Sequence, residues 1–125
     1  MLYRLTFLLL ITLSCQQAFN QEQKEVVTII DIATFKETVI DKEVQLIDIR
    51  TPEEYANGYI DDAVNIPIAD KTQFITDFSK LDKEKPVYIY CYSGVRSHRA
   101  GKLLKELGFT AIYDFKGGWK VWSSQ

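Results

Sequence analysis

The chain has 125 residues, 46% of them hydrophobic and 26% charged, with three prolines and a formal net charge of −2. Those values exclude a disordered or collagen-like polymer and permit one compact domain with a real core. They supply no basic field to hold nucleic acid or an acidic lipid surface.

The first residues stand apart from the rest. Arg4 precedes an almost unbroken apolar run from Leu5 to Leu13, followed by Ser14-Cys15. A mature membrane-spanning helix needs about twenty apolar residues, so this run is too short to span. Its length is that of the hydrophobic segment of a secretion signal. A buried core helix is the alternative, but the run is apolar on every face and the polar stretch Gln16 to Gln23 follows. A small residue followed by cysteine resembles the lipobox of bacterial lipoproteins, although Thr12 stands where that family usually has leucine. The resemblance implies a signal peptide over 1–14, a diacylated Cys15 as first mature residue, and a polar tether over 15–25. The expected product is exported, either periplasmic or membrane-anchored, and meets the membrane only through that lipid. Two cysteines in an exported chain ordinarily suggest a disulfide. A lipid on Cys15 forbids it and leaves Cys91 as a lone thiol.

Beyond the tether, Val26 to Ile30 reads as a strand, β-branched and apolar. Asp31 caps a short helix with Ile32, Phe35 and Val39 at helical spacing. Val44 to Ile49 is a second strand, ending in Asp48-Ile49-Arg50, whose charges form an internal ion pair. Thr51-Pro52-Glu53-Glu54 combines an N-cap, a proline at the first helical position and a capping-box glutamate, and the helix stops at Asn57-Gly58. Asp61-Asp62 reads as a solvated turn, and Ala63 to Pro67 as a short extended piece. Lys71 to Leu81 is amphipathic, with Phe74, Ile75, Phe78 and Leu81 on one face. Val87 to Tyr90 is a strand apolar enough to be buried on both sides, and it runs straight into Cys91. A helix follows from Arg96 to Leu107, stopped by Gly108, then a last strand from Thr110 to Tyr113 and a C-terminal turn carrying Trp119 and Trp122 as core aromatics. Strands alternating with helices imply an α/β fold with a mostly parallel central sheet and helices on both faces. Ligands in such folds bind beyond the carboxyl ends of the strands, where Cys91 sits.

The segment Cys91-Tyr92-Ser93-Gly94-Val95-Arg96-Ser97 places four residues between the cysteine and the arginine. A loop curling into a helix N-terminus turns several backbone N–H groups toward its centre and makes an anion cradle. A thiol seated there is acidified by those dipoles and by the nearby guanidinium. Arg96 is read as closing the loop through backbone carbonyls while adding positive charge. Gly94 serves backbone conformation. Ser93 and Ser97 either donate to the sulfur or cap the helix. His98, the one histidine, is expected to point outward, and no cluster suggests a metal site.

This loop resembles the active-site loop of the rhodanese family, Cys-x-x-Gly-x-Arg-Ser or Ala. Two flanking segments support the likeness: Leu46 to Arg50 with Glu54-Tyr55 and Gly58 to Pro67 upstream, and Gly117-Gly118-Trp119-Lys120-Val121-Trp122 at the C-terminus. Tyr59 and Asp62 depart from the family's usual histidine and glycine, and Tyr92 from its usual charged or polar residue at the pocket mouth. The resemblance covers a rhodanese-like domain over 26–122. It implies a three-layer domain with Cys91 as catalytic nucleophile, Tyr92, Ser93, Gly94, Val95, Arg96 and Ser97 around the substrate, and no metal or organic cofactor. It also implies a small sulfane-sulfur donor such as thiosulfate and a thiol or cyanide acceptor, joined through a Cys91 persulfide. Two other readings stand beside it: a non-catalytic or sulfur-carrier module, and a cysteine phosphatase, whose loop is wider by one residue. A thioredoxin-type role is excluded because no Cys-x-x-Cys pair exists.

Overall fold

A computed structural model describes residues 23–125; Cys15, the signal segment and most of the tether lie outside the described residues. Five strands alternate with five helices: β1 (Val27–Ile30), α1 (Ile32–Val39), β2 (Gln45–Asp48), α2 (Pro52–Ala56), β3 (Val64–Asn65), α3 (Lys71–Phe78), β4 (Val87–Tyr90), α4 (Val95–Glu106), β5 (Ile112–Phe115) and α5 (Gly118–Trp122). Side-chain caps start three of the helices as their sequences dictate. Asp31 accepts from the Thr34 N–H at 2.9 Å, Thr51 from Glu54 at 3.2 Å and Asp70 from Gln73 at 3.1 Å.

The strands form one sheet in the order β1-β5-β4-β2-β3, and every neighbouring pair is parallel. Period-two alternation along β4 divides its side chains between two cores. Val87 and Ile89, followed by Cys91, join Phe74 and Phe78 of α3 and Ala100 and Leu104 of α4. Tyr88 and Tyr90 face the other way, onto Phe35 and Val39 of α1 and the half-buried Trp119 and Trp122 of α5. Each large apolar side chain sealed this way contributes about 1.5–3 kcal/mol relative to leaving it in water. The result is the three-layer arrangement expected from the alternation of elements.

Two elements differ from the sequence expectation. The last strand lies two residues later than expected, because Thr110 is held outside it: its N–H and hydroxyl both donate to the Lys83 carbonyl, each at 3.1 Å. The C-terminal turn is a short helix, α5, entered at Gly118 with φ +56°.

The topology creates the crevice. From β2 the chain crosses outward to β3, and from β4 it crosses the opposite way to β5, so the carboxyl ends of β2 and β4 part at a switch point. Arg50 follows one of these ends and Cys91 the other.

Candidate active site

The Cys91 side chain is almost wholly buried, at 1% exposure, directly beneath the start of α4. That helix has Gly94 as N-cap, which brings no capping side chain. The first N–H groups of a helix need acceptors, and here the sulfur supplies one. Cys91 Sγ accepts from the Ser97 N–H at 3.4 Å, at the third helical position, and from the Gly94 N–H at 3.1 Å. The Ser97 hydroxyl lies 3.6 Å from Sγ, within reach of the thiol proton, and donates to the Gly94 carbonyl at 3.2 Å. The cysteine therefore does the work of an N-cap from outside the helix.

Burial pushes the Cys91 thiol up, but the Ser97 N–H and hydroxyl and the Gly94 and Ser93 N–H groups outweigh it, and the net direction is down. Negative charge on the sulfur is favoured by the same donors and by the N-terminal end of a twelve-residue helix.

Arg96 adds positive charge near the sulfur through space, but it makes no direct bond to it. Its guanidinium forms a two-pronged pair with Glu54, both N–O distances being 3.0 Å, and neither loop carbonyls nor the sulfur are its partners. Thr51, by capping α2, sets Glu54 in the first turn facing α4, and the carboxylate is used on Arg96 rather than on the Thr51 backbone N–H. This corrects two expectations, that Arg96 closes the loop through backbone carbonyls and that Glu54 completes a capping box. The pairing holds the Glu54 carboxyl below its usual range and the Arg96 guanidinium above its own. It ties the upstream motif to the cysteine loop.

Two glycines let the C-terminal motif close the site from beneath. Gly94 has φ +96°, and a Cβ there would stand 2.6 Å from the Lys116 carbonyl oxygen. Gly118 has φ +56°, and a Cβ there would meet the Cys91 and Tyr92 carbonyl oxygens. Those two carbonyls instead accept from the Trp119 and Lys120 N–H groups, each at 2.9 Å. The start of the loop is thus held by backbone hydrogen bonds to α5, and its middle lies close against the Lys116 carbonyl.

A third brace is the buried pair expected between Asp48 and Arg50. Arg50 is 1% exposed, contacts Asp48 Oδ2 at 2.6 Å and donates to the Gly58 carbonyl at 2.6 Å, while Trp119 stacks beneath its guanidinium at 4.8 Å. Burial opposes the Arg50 charge, yet the Asp48 carboxylate overcomes it and holds the guanidinium above its usual range. Within the loop, Tyr92, Ser93 and Val95 are exposed and rim the opening, Gly94 and Arg96 are half-buried, and Ser97 is buried. His98 is exposed on α4. A shallow depression of about 440 Å³ joins Tyr92, Arg96 and Glu54 to Arg50, Asn57 and Trp119. A cleft of about 640 Å³ opens on the other side of Arg96, with Lys71, Arg99 and Lys102 on its walls and Glu106 as its acidic member.

The comparisons with known proteins agree with this geometry. A family described as Rhodanese-like domain matches residues 31–125. The protein YqhL of Bacillus subtilis is 42% identical over 84 residues, which are 67% of this chain and 64% of YqhL, so the chain spans less than two thirds of that relative. Thiosulfate sulfurtransferase GlpE of Shewanella oneidensis is 36% identical over 81 residues, covering 65% of this chain and 77% of GlpE. Among solved structures, a rhodanese-like domain protein from Staphylococcus aureus matches with a TM-score of 0.67 at 31% identity, over 76% of this chain and 90% of that one. With a parallel five-stranded sheet, a cysteine at its switch point and these relatives, the chain belongs to the rhodanese-like domain family.

Proposed function

We propose that this chain is a rhodanese-type sulfurtransferase that carries a sulfane sulfur as a persulfide on Cys91. The carrying observation is the sulfur itself, held as the acceptor of the Gly94 and Ser97 N–H groups at the head of α4. In the first step the Cys91 thiolate attacks the outer sulfur of thiosulfate. A bond forms between the two sulfurs, the bond to the sulfonate sulfur breaks, and sulfite leaves with its electron pair. In the second step an acceptor thiolate, or cyanide, attacks the terminal sulfur and Cys91 departs as thiolate. The N–H groups that favour the thiolate also favour the persulfide anion, so the loop stabilises the charge in both resting forms. The bonds broken are sulfur–sulfur bonds, and those formed join sulfur to sulfur or, with cyanide, to carbon; this chemistry is covalent catalysis by the thiolate itself.

Tyr92, Ser93, Gly94, Val95, Arg96 and Ser97 form the substrate surround in this reading. Lys71, Arg99 and Lys102 on the neighbouring cleft favour the approach of an anionic donor. Four residues between Cys91 and Arg96 make a ring suited to a single sulfur rather than to tetrahedral phosphate. In this reading 1–14 is an export signal, Cys15 the acylated residue, 15–25 a tether and 26–122 the domain, the apolar run from Leu5 to Leu13 supporting export.

The test is intact mass after incubation with thiosulfate. The purified chain is expected to gain one sulfur atom, mapped to Cys91, and to lose it when a thiol is added with release of a sulfide or mixed persulfide. No mass gain with excess thiosulfate would defeat the proposal.

A further inference from the structure

Asp114 is the one buried side chain among the described residues that leaves a polar atom without a partner. It is 1% exposed, and its Oδ1 accepts no hydrogen bond. Such an orphan costs about 1–3 kcal/mol and calls for a reason. Its place in the fold offers one. In the β4–β5 register Asp114 lies opposite Ile89, two residues before Cys91. Ile112 packs on the core face covered by α4, while Tyr113 and Phe115 face the other core. Alternation therefore points Asp114 toward α4, whose first buried residue is Ser97.

We infer that Asp114 is a positioning residue for the sulfur: in its protonated form it donates to Ser97 Oγ and so turns the Ser97 hydroxyl proton toward Cys91. This inference rests on the proposed role of Cys91 as the sulfur-bearing group. In the thiol state drawn by the structure, Cys91 gives its proton to Ser97 Oγ, and Ser97 gives its own to the Gly94 carbonyl. Once the thiol proton leaves to solvent, the sulfur has none to give and needs one more donor. The hydroxyl can turn to it only by leaving the Gly94 carbonyl, and its vacated lone pair is then open to a donor from the sheet side. Asp114, buried on the same core face and interacting with the Ser97 side chain, is that donor.

Burial acts in the direction of the neutral acid. Burial raises the Asp114 carboxyl above its usual range, against smaller opposing pulls from the Ser97 hydroxyl and from His98. Of the elements packed against it, α4 brings His98, the end of β4 brings Cys91, and β1, which runs Val27-Thr28-Ile29-Ile30, brings no titratable group. An ionised Asp114 would do the reverse: it would accept a hydrogen bond from the Ser97 hydroxyl, turning it from the sulfur, and add negative charge beside the thiolate.

The experiment titrates the Cys91 thiolate by its ultraviolet absorbance in the full chain, which reads ionisation whether or not sulfur is transferred. Asp114→Leu is expected to raise the midpoint by about one pH unit, the loss of one hydrogen bond to a charged sulfur. Asp114→Asn, which retains a donor toward Ser97, is expected to leave the midpoint near that of the parent chain. In a Ser97→Ala background, Asp114→Leu is expected to add nothing. Should the leucine variant not fold, Asp114→Ala is read in its place. An unmoved midpoint in the apolar variant, an asparagine variant that behaves like leucine, or a full shift that persists without the Ser97 hydroxyl would each overturn the inference. A purely structural Asp114 would lower Tm and leave the titration where it was. Absence of any persulfide on the parent chain would instead count against the proposed function.

Discussion

Replacing Cys91 with serine is expected to lower the rate of sulfur transfer from thiosulfate to cyanide by at least about 10³-fold, the scale of loss when a covalent nucleophile is removed. The fold should survive the change. Serine oxygen is a good acceptor at a helix start, so the Gly94 and Ser97 N–H groups that now bind sulfur keep a partner. What goes is chemistry, because an alcohol does not ionise under these donors and cannot hold a sulfane sulfur. The measurement is steady-state thiocyanate formation beside a thermal melt of the same sample. Loss of turnover with an unchanged Tm is the expected pair of results. A serine variant keeping more than a tenth of the parent rate would remove Cys91 from the mechanism.

Substituting Gly118 with alanine is expected to destabilise the chain by about 2–4 kcal/mol through a forced positive φ and a clash with backbone. For a domain of this size that lowers Tm by at least about 10 °C. The methyl would meet the Cys91 and Tyr92 carbonyl oxygens, and neither is the movable tip of a side chain. Relief therefore has to come from separating the cysteine loop from α5, which breaks the hydrogen bonds from the Trp119 and Lys120 N–H groups. Transfer activity measured well below the lowered Tm should fall as well, because the sulfur's donors belong to the displaced loop. An alanine variant that melts within a degree or two of the parent would show that α5 does not brace the loop.

The parts of this fold visible in the sequence are those set by local physics. Caps at Asp31 and Thr51, the continuous apolar run of Val87 to Tyr90 and the glycine in the cysteine loop each act within a few residues, and each is in place. The buried Asp48–Arg50 pair was legible for the same reason, its members being two residues apart. The partner of Arg96 was not. Glu54 lies 42 positions away in the chain, and an acidic residue in the first turn of a helix already has a local explanation. The upstream motif contained Glu54 but gave no sign that it reaches the loop. The last strand was misplaced because Asp114 reads as a strand end, although tertiary packing buries it inside β5. Gly118 stood in a recognised motif, yet its contact with the Cys91 carbonyl depends on how α5 folds back across the sheet end.

The central claim is that backbone donors at the head of α4 hold the Cys91 sulfur as an anion. The most direct test is the ionisation of that thiol in the intact chain, followed by thiolate absorbance and checked by the pH dependence of alkylation. The thiol's folded-state ionisation lies below that of a free cysteine side chain, so the thiolate should predominate at pH values where a peptide cysteine is still neutral, and alkylation should reach its plateau correspondingly early. A midpoint at or above that of a cysteine in an unfolded peptide would contradict the account.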